Sequence, residues 1–377
     1  MPQNRKIAVI LGTRPEIIKL SPVIRYLEKK KKNYFIIHTG QHYSYAMDRL
    51  FFKELHLPEP KYRLGIRSKG VTMQADHTGR MLIRIEKILL KEMPKVILVQ
   101  GDTNTVLAGA LTVSKLLTTR DYTHIDMHIG HIEAGLRSYD RTMPEEINRF
   151  ITDHFSDFLF APTRLAADTL IQEGVPKKRV HMTGNTIVDA VFQNLKLAKK
   201  NSKILGALGL SEDEDYFLLT LHRQENVDNP ERLRRILKGI EAIGRHFRKK
   251  IIFPIHPRTV KKLESFKLRV SERVRLVPPM GFLEFLLLES KAKLILTDSG
   301  GIQEEACILK VPCVTLRTTT ERPETVRAGG NMIAGFEPAS ILRCAKKMIT
   351  KKGKWANPFG DGRSSERIIR IIEKNIS

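Results

Sequence analysis

The chain has 377 residues, 41% hydrophobic and 28% charged, with 65 Lys and Arg against 41 Asp and Glu for a net charge of +24. That length accommodates two domains with cores of their own, and no stretch approaches the ~18 consecutive apolar residues of a membrane span. The basic residues are scattered in runs such as "EKKKKN", "RHFRKK" and "AKKMITKKGK", with no homeodomain, zinc-finger or RNA-recognition signature to organise them. The charge is therefore read as a field that draws in small anionic substrates, and specific nucleic-acid binding is set aside.

The opening "MPQNRKIAVILGTRPE" has too short an apolar run for a secretory signal, so a cytoplasmic protein is expected. Cys307, Cys313 and Cys344 make no CxxC pair and no disulfide framework, and read as buried reduced thiols. The segment "RKIAVILG" is a continuous apolar run of buried-strand type, followed at once by a helical pattern. "NYFIIHTG", "KVILVQGD" and "HIGHIEAG" repeat the theme with a glycine turn after each strand, and "DFLFAPT" and "RVHMTGN" add two more strands. Past residues 186–212 the pattern restarts with "YFLLTLH", "KIIFPIH", "RVRLVPP", "KLILTDSGG" and "PCVTLR". Strands alternating with helices predict an α/β protein of two Rossmann-like, doubly wound domains. The expected boundaries are 1–186 and 187–363, with a last helix over 364–377 packing back on the first domain. Pro22 predicts a kink or restart in the first helix. Open parallel sheets bind ligands at the carboxyl ends of their strands, and with two domains the expected site is the cleft between them.

Several motifs fall just after strands. In "LGTRPEIIK", Gly12 permits a tight turn and Pro15 suits a helix start. Arg14 and Lys19 fit a phosphate site, and equally the exposed basic face of an amphipathic helix. In "VQGDTNTVLAGA", Asp102 stands at a strand tip, where helix capping is the common use and acid–base work the alternative. In "LTDSGGIQEEA", Ser299, Gly300 and Gly301 offer a hydroxyl and unshielded amides for a diphosphate, with Glu304 or Glu305 placed to meet ribose hydroxyls. "TLHRQEN" puts His222 and Arg223 at the end of the second domain's first strand, and "TTTERPE" offers Arg322. None of these is a GxGxxG or Walker motif, which argues against NAD or ATP chemistry.

The histidines of "THIDMHIGHIEAG" invite a metal reading. On a strand, His124, Asp126 and His128 share one face and His131 falls on the other, so no tetrahedral zinc spacing results and no metal is assigned. The stretch "EAGLRSYDRTMPEEINR", residues 133–149, gathers four acids and three arginines. Pro144 opens a helix there, Glu145 and Arg149 make an i,i+4 pair, and Asp140, Arg141 and Glu146 read as surface or hinge charge. Glu133 ends a strand, and Glu145 starts the helix after a loop.

Together "GTRPEIIKLSPVI", "GDTNTVLAG", "HIEAGLRS", "MPEEINR", "TGNTIVDA", "DSGGIQEEA" and "TTERPE" resemble the motif set of the non-hydrolysing UDP-N-acetylglucosamine 2-epimerases, in order, and "NPFGDGRSSERI" extends the likeness to the C-terminus. The resemblance implies a GT-B-type fold, a homodimer, and no metal or nicotinamide cofactor. It implies interconversion of UDP-GlcNAc and UDP-ManNAc by elimination of UDP to 2-acetamidoglucal and re-addition, supplying surface polysaccharide synthesis. Asp102, Glu133 and Glu145 match the family's acidic catalytic positions, with His222 beside them as a fourth candidate. Arg14 and Lys19 match first-domain ligand contacts. His222, Phe285, Ser299, Gly300, Gly301, Glu305 and Arg322 match nucleotide and diphosphate contacts. An activating second UDP-GlcNAc site is implied at Gln41, Gln74, Arg223 and His256. The same cradle also fits an epimerase of a related UDP-acetamido sugar, a GT-B-type glycosyltransferase, or a sensor that binds without turnover.

Overall fold

A run such as Ile7–Leu11 is apolar at every position and buried at every position, which a strand achieves only inside a sheet covered on both faces. The computed structural model describes residues 6–40, 45–66, 74–119, 125–211 and 213–376. Among these residues the chain forms two parallel α/β sheets, and it divides into two units, Met1–Ala190 with Phe359–Ser377, and Val191–Pro358.

The first unit begins β1 (Ile7–Leu11), α1 (Arg14–Lys29), β2 (Tyr34–His38), α2 (Tyr45–Glu54), β3 (Tyr62–Arg63) and α3 (Gln74–Glu92). It continues with β4 (Val96–Gln100), α4 (Asn104–Thr118), β5 (His128–Ile132) and α5 (Pro144–Phe155). β6 (Phe158–Ala161), α6 (Arg164–Gln172), β7 (Val180–Met182) and α7 (Thr186–Asn201) complete it, and α7 carries the chain into the second unit. The strand order is β3-β2-β1-β4-β5-β6-β7. Successive strands therefore turn one way from β1 and then the other, and the reversal lies between β1 and β4.

The second unit holds α8 (Ile204–Ala207), β8 (Tyr216–Thr220), α9 (Gln224–Val227), α10 (Pro230–Phe247), β9 (Lys250–Pro254) and α11 (Pro257–Ser265). β10 (Val274–Val277), α12 (Phe282–Lys291), β11 (Leu294–Thr297), α13 (Gly300–Leu309) and β12 (Cys313–Thr315) follow. α14 (Pro323–Arg327), β13 (Asn331–Ile333) and α15 (Pro338–Ile349) end the unit. Its order, β10-β9-β8-β11-β12-β13, reverses between β8 and β11.

The α/β class and every strand expected from the apolar runs are present. Two edge strands, β3 and β13, were not expected. At two and three residues they are too short to leave a periodic signature. The expected break at Pro22 does not occur, because α1 runs unbroken across it. Proline removes the N–H that would bond the Ile18 carbonyl, and the Ser21 hydroxyl donates to that carbonyl at 2.8 Å.

The last helix, α16 (Ser364–Asn375), packs on α1. Its N-terminus is held by Asp189 of α7, which accepts from the Ser364 and Ser365 amides at 3.1 and 3.0 Å and from the Ser365 hydroxyl at 2.6 Å. A buried carboxylate there satisfies amides that a helix leaves unbonded. No helix among the described residues is long and apolar enough to cross a membrane.

Candidate active site

In open parallel sheets the reversal of strand order leaves a crevice at the carboxyl ends of the two strands that flank it. In the first unit those strands are β1 and β4. The turn after β1 holds Gly12, where an added Cβ would stand 1.9 Å from Thr39 Oγ1, so only glycine fits. Glu16, in the first turn of α1, folds back under this turn. It accepts from the Gly12 and Thr13 amides at 2.8 and 2.6 Å and from Thr103 Oγ1 of the β4–α4 turn at 2.6 Å. One side chain therefore ties both turns of the crevice together.

Burial pushes the Glu16 carboxyl up to about 7, and its hydrogen bonds offset that only in part. A carboxyl raised in the folded state keeps a proton that the unfolded chain has already lost. Its favourable contribution is complete below the ordinary carboxylate range and is lost as pH rises through about 7. Glu16→Gln is expected to remove this dependence. Between about pH 5 and pH 7.5 the wild type should lose on the order of 3 kcal/mol relative to the variant, read from urea midpoints. Parallel pH curves for the two proteins would contradict it.

Asp102 follows β4 with its side chain one-third exposed. Arg149 of α5 grips it, with Nε and Nη2 donating to Oδ2 at 3.0 and 2.6 Å. Asn148 Nδ2 donates to the Asp102 carbonyl at 2.9 Å. Glu133 follows β5, the neighbour of β4, in a left-handed conformation at φ +71°. A non-glycine residue held there signals a position that the surroundings enforce. Lys19 Nζ bonds both Glu133 oxygens, at 2.8 and 2.6 Å, and Gln100 Nε2 donates to Oε2. The Glu133 side chain is only 3% exposed. Two acids thus follow adjacent strand ends, each with a cation against it.

Arg14 lies over the Phe51 ring at 4.8 Å. Glu145 is exposed in the first turn of α5, and the expected Glu145–Arg149 pair is not formed. Arg149 instead spans Asp102 and Glu146, the latter at 2.7 Å. Glu146, expected to be surface or hinge charge, is buried and accepts from the Ser138 amide and hydroxyl and from the Tyr139 amide, all at 2.9 Å. It shapes the loop before α5. An arginine takes the partners that match its fork, and helical spacing alone does not reveal them.

In the second unit the reversal lies between β8 and β11, and His222 and Ser299 follow those strands. Asp298, fully buried at the end of β11, accepts from the His222 and Arg223 amides at 3.0 and 2.9 Å and from Asn226 Nδ2 at 3.1 Å. His222 Nδ1 stands 3.2 Å from Asp298 Oδ1. Burial opposes ionisation of Asp298, but His222 and these donors outweigh it and hold its carboxyl below the usual range. Ser299 is the residue before α13, and Gly300 and Gly301 open its first turn. A Cβ on Gly301 would meet nothing within 4 Å, while one on Gly300 would stand 3.4 Å from a Glu321 carboxylate oxygen. Arg322 Nε lies 2.8 Å from Glu304. Glu305 neighbours the wholly buried Glu289, and burial together with that second carboxyl pushes the Glu289 acid well above the usual range. Phe285 packs partly buried on the core beneath α12.

Of the expected activating positions, Gln41 lies outside the described residues. Gln74 belongs to the first unit, where its Oε1 accepts from Asn104 Nδ2. Arg223 and His256 belong to the second: His256 caps α11 through Nδ1, with its ring 6.0 Å from that of His222. His124 also lies outside the described residues, and no group of metal-ligating type is found among those described.

A family profile described as UDP-N-acetylglucosamine 2-epimerase matches residues 25–373. A protein named UDP-N-acetylglucosamine 2-epimerase from Methanocaldococcus jannaschii is 55% identical over 97% of this chain and 98% of its own. A crystal structure of the M. jannaschii UDP-GlcNAc 2-epimerase in complex with UDP-GlcNAc and UDP is 56% identical, with a TM-score of 0.84 over 98% of this chain and 100% of that one. The UDP-GlcNAc 2-epimerase of Neisseria meningitidis, solved bound to UDP-GlcNAc, has a TM-score of 0.85 at 32% identity over the same shares. The architecture is the GT-B-like, two-domain α/β fold of these structures.

Proposed function

The chain belongs to the UDP-N-acetylglucosamine 2-epimerase family and is an isomerase, and from that premise we propose that it interconverts UDP-GlcNAc and UDP-ManNAc. The observation that carries the reading is the pairing of Asp102 and Glu133 at adjacent strand ends, with Arg149 and Lys19 against them. The proton at C2 of the sugar is weakly acidic, so its removal requires a positioned base together with departure of a stabilised leaving group. A carboxylate takes the C2 proton. The C–H electron pair becomes the C1–C2 double bond as the bond from C1 to UDP breaks, giving 2-acetamidoglucal. UDP then adds back at C1 while a proton reaches the opposite face of C2.

Asp102 and Glu133 are the groups assigned to the C2 proton. Arg149 occupies Oδ2 of Asp102 and orients the carboxylate, and Lys19 balances the charge of Glu133. Glu145 is assigned a third proton-handling role and Arg14 a contact to the substrate. In the second unit, the Ser299–Gly301 amides and Arg322 stabilise the diphosphate as it leaves, where donors aimed at developing charge contribute most. His222 donates to the same phosphates, Glu305 accepts from the ribose hydroxyls, and Phe285 lines the nucleotide. Incubation with UDP-GlcNAc alone, with no acceptor, should yield the manno epimer. A bound but chemically unchanged sugar would contradict the assignment, whereas a glycosyltransferase would require an acceptor.

The assembly proposed is a homodimer through the first unit. α4 packs between α3 and α5, and these helices leave Ile83, Leu117, Ile147 and Phe150 exposed. Apolar side chains on neighbouring helices suit a self-complementary interface. Phe150→Asp is expected to shift the sedimenting species from dimer to monomer. A wild type that stays monomeric at all concentrations would contradict this.

A further inference from the structure

His131, a metal candidate by sequence, is wholly buried on β5, two residues before Glu133. Its Nε2 lies 2.8 Å from the Gly101 carbonyl oxygen and its Nδ1 2.6 Å from Asp153 Oδ1. A carbonyl only accepts, so Nε2 carries a hydrogen. Asp153 already accepts on Oδ2 from Arg137 Nη1 at 2.7 Å and from the Gly135 amide at 3.2 Å. Asp153 thus meets the ring from α5, while the Gly101 carbonyl meets it from the turn after β4.

We propose that His131 is a positioning residue, a ring clamped between Asp153 and the Gly101 carbonyl, that fixes the turn from which Asp102 is presented. The proposal rests on the reading of Asp102 as a proton-handling group. Gly101 is the residue before Asp102 and sits at φ +84°, a conformation that leaves the turn free to pivot unless it is held. α5 holds it at three points. Arg149 grips the Asp102 carboxylate, Asn148 grips the Asp102 carbonyl, and Asp153, one turn beyond Arg149, reaches the Gly101 carbonyl through His131. The charged groups around the ring are Asp153 of α5 and Arg137 of the loop after β5, itself paired with Glu173 past α6 at 2.6 Å. Burial opposes ionisation of Asp153, but His131 and Arg137 outweigh it and keep its carboxyl below the usual range. Without the ring, the Gly101 carbonyl has no link to Asp153, and the turn loses one of its ties.

The test is nitrogen NMR of the histidine rings in the wild-type protein. His131 Nε2 should carry a hydrogen that is bonded to the Gly101 carbonyl. An Nε2 without that hydrogen would overturn the proposal. In kinetics, His131→Gln should slow C2 exchange roughly ten- to a hundredfold with UDP affinity within about twofold, and Asp153→Asn should act in the same direction. Exchange at the wild-type rate in a folded His131→Gln protein would overturn it too. If the wild type itself exchanges nothing at C2, it is the epimerase reading that fails. The NMR result requires no variant to fold.

Discussion

Asp102→Asn is expected to slow exchange of the C2 proton by about a thousandfold or more while leaving UDP affinity within about twofold of wild type. Asparagine has the shape of aspartate and keeps an oxygen for Arg149, whose two bonds to Oδ2 set the side chain's direction. What it loses is the capacity to take a proton. The nucleotide contacts assigned above are on α13 and its neighbours, so UDP affinity reads residues other than the one substituted. Deuterium exchange followed by NMR and UDP titration by calorimetry separate the two readouts. Near wild-type exchange would remove Asp102 from the chemistry, and a parallel fall in UDP affinity would mean that the change disturbs more than a base.

The second large effect is expected at Lys19. Its ammonium bonds both oxygens of Glu133, whose side chain is 3% exposed against 14% for Lys19. Removing one member of a buried ion pair costs more than the pair contributes, because the remaining charge has left water without compensation. Lys19→Met is expected to destabilise the protein by about 3 kcal/mol and to reduce exchange sharply. Combining it with Glu133→Gln should restore most of the stability, since no buried charge is left over, and should restore no activity, since the acid is gone. Urea unfolding of the single and double variants reads the first effect, and C2 exchange reads the second. A double variant less stable than Lys19→Met would contradict the charge argument.

The sheets were legible because runs such as "VILV" and "YFLL" are apolar at every position and give way to polar or glycine turns. The positions of Asp102 and Glu133 were legible for a related reason: both stand just beyond strand ends. What holds them was not legible. Glu16 meets Thr103 across 87 positions of sequence, Arg149 meets Asp102 across 47 and Asp153 meets His131 across 22, and no local spacing encodes such encounters. Where local spacing was used alone, it misled. Glu145 and Arg149 have the separation of a helical ion pair, yet the arginine goes to Asp102 and Glu146. His131 was read as facing away from the other histidines, but spacing did not name its partners, an aspartate on α5 and a carbonyl on the neighbouring strand's turn. Pro22 looked like a helix breaker until Ser21 supplied the missing donor. In each case the outcome depends on which groups tertiary packing brings within hydrogen-bond reach.

The central claim is that two carboxylates at the ends of β4 and β5 take and return the proton at C2. It is tested most directly by incubating the wild-type protein with UDP-GlcNAc in deuterated water and locating the label. Deuterium at C2 of both the gluco and the manno sugar, appearing together with epimerisation, is the predicted result. Epimerisation with C2 still carrying its original hydrogen, or no epimerisation by protein that binds UDP, would contradict it.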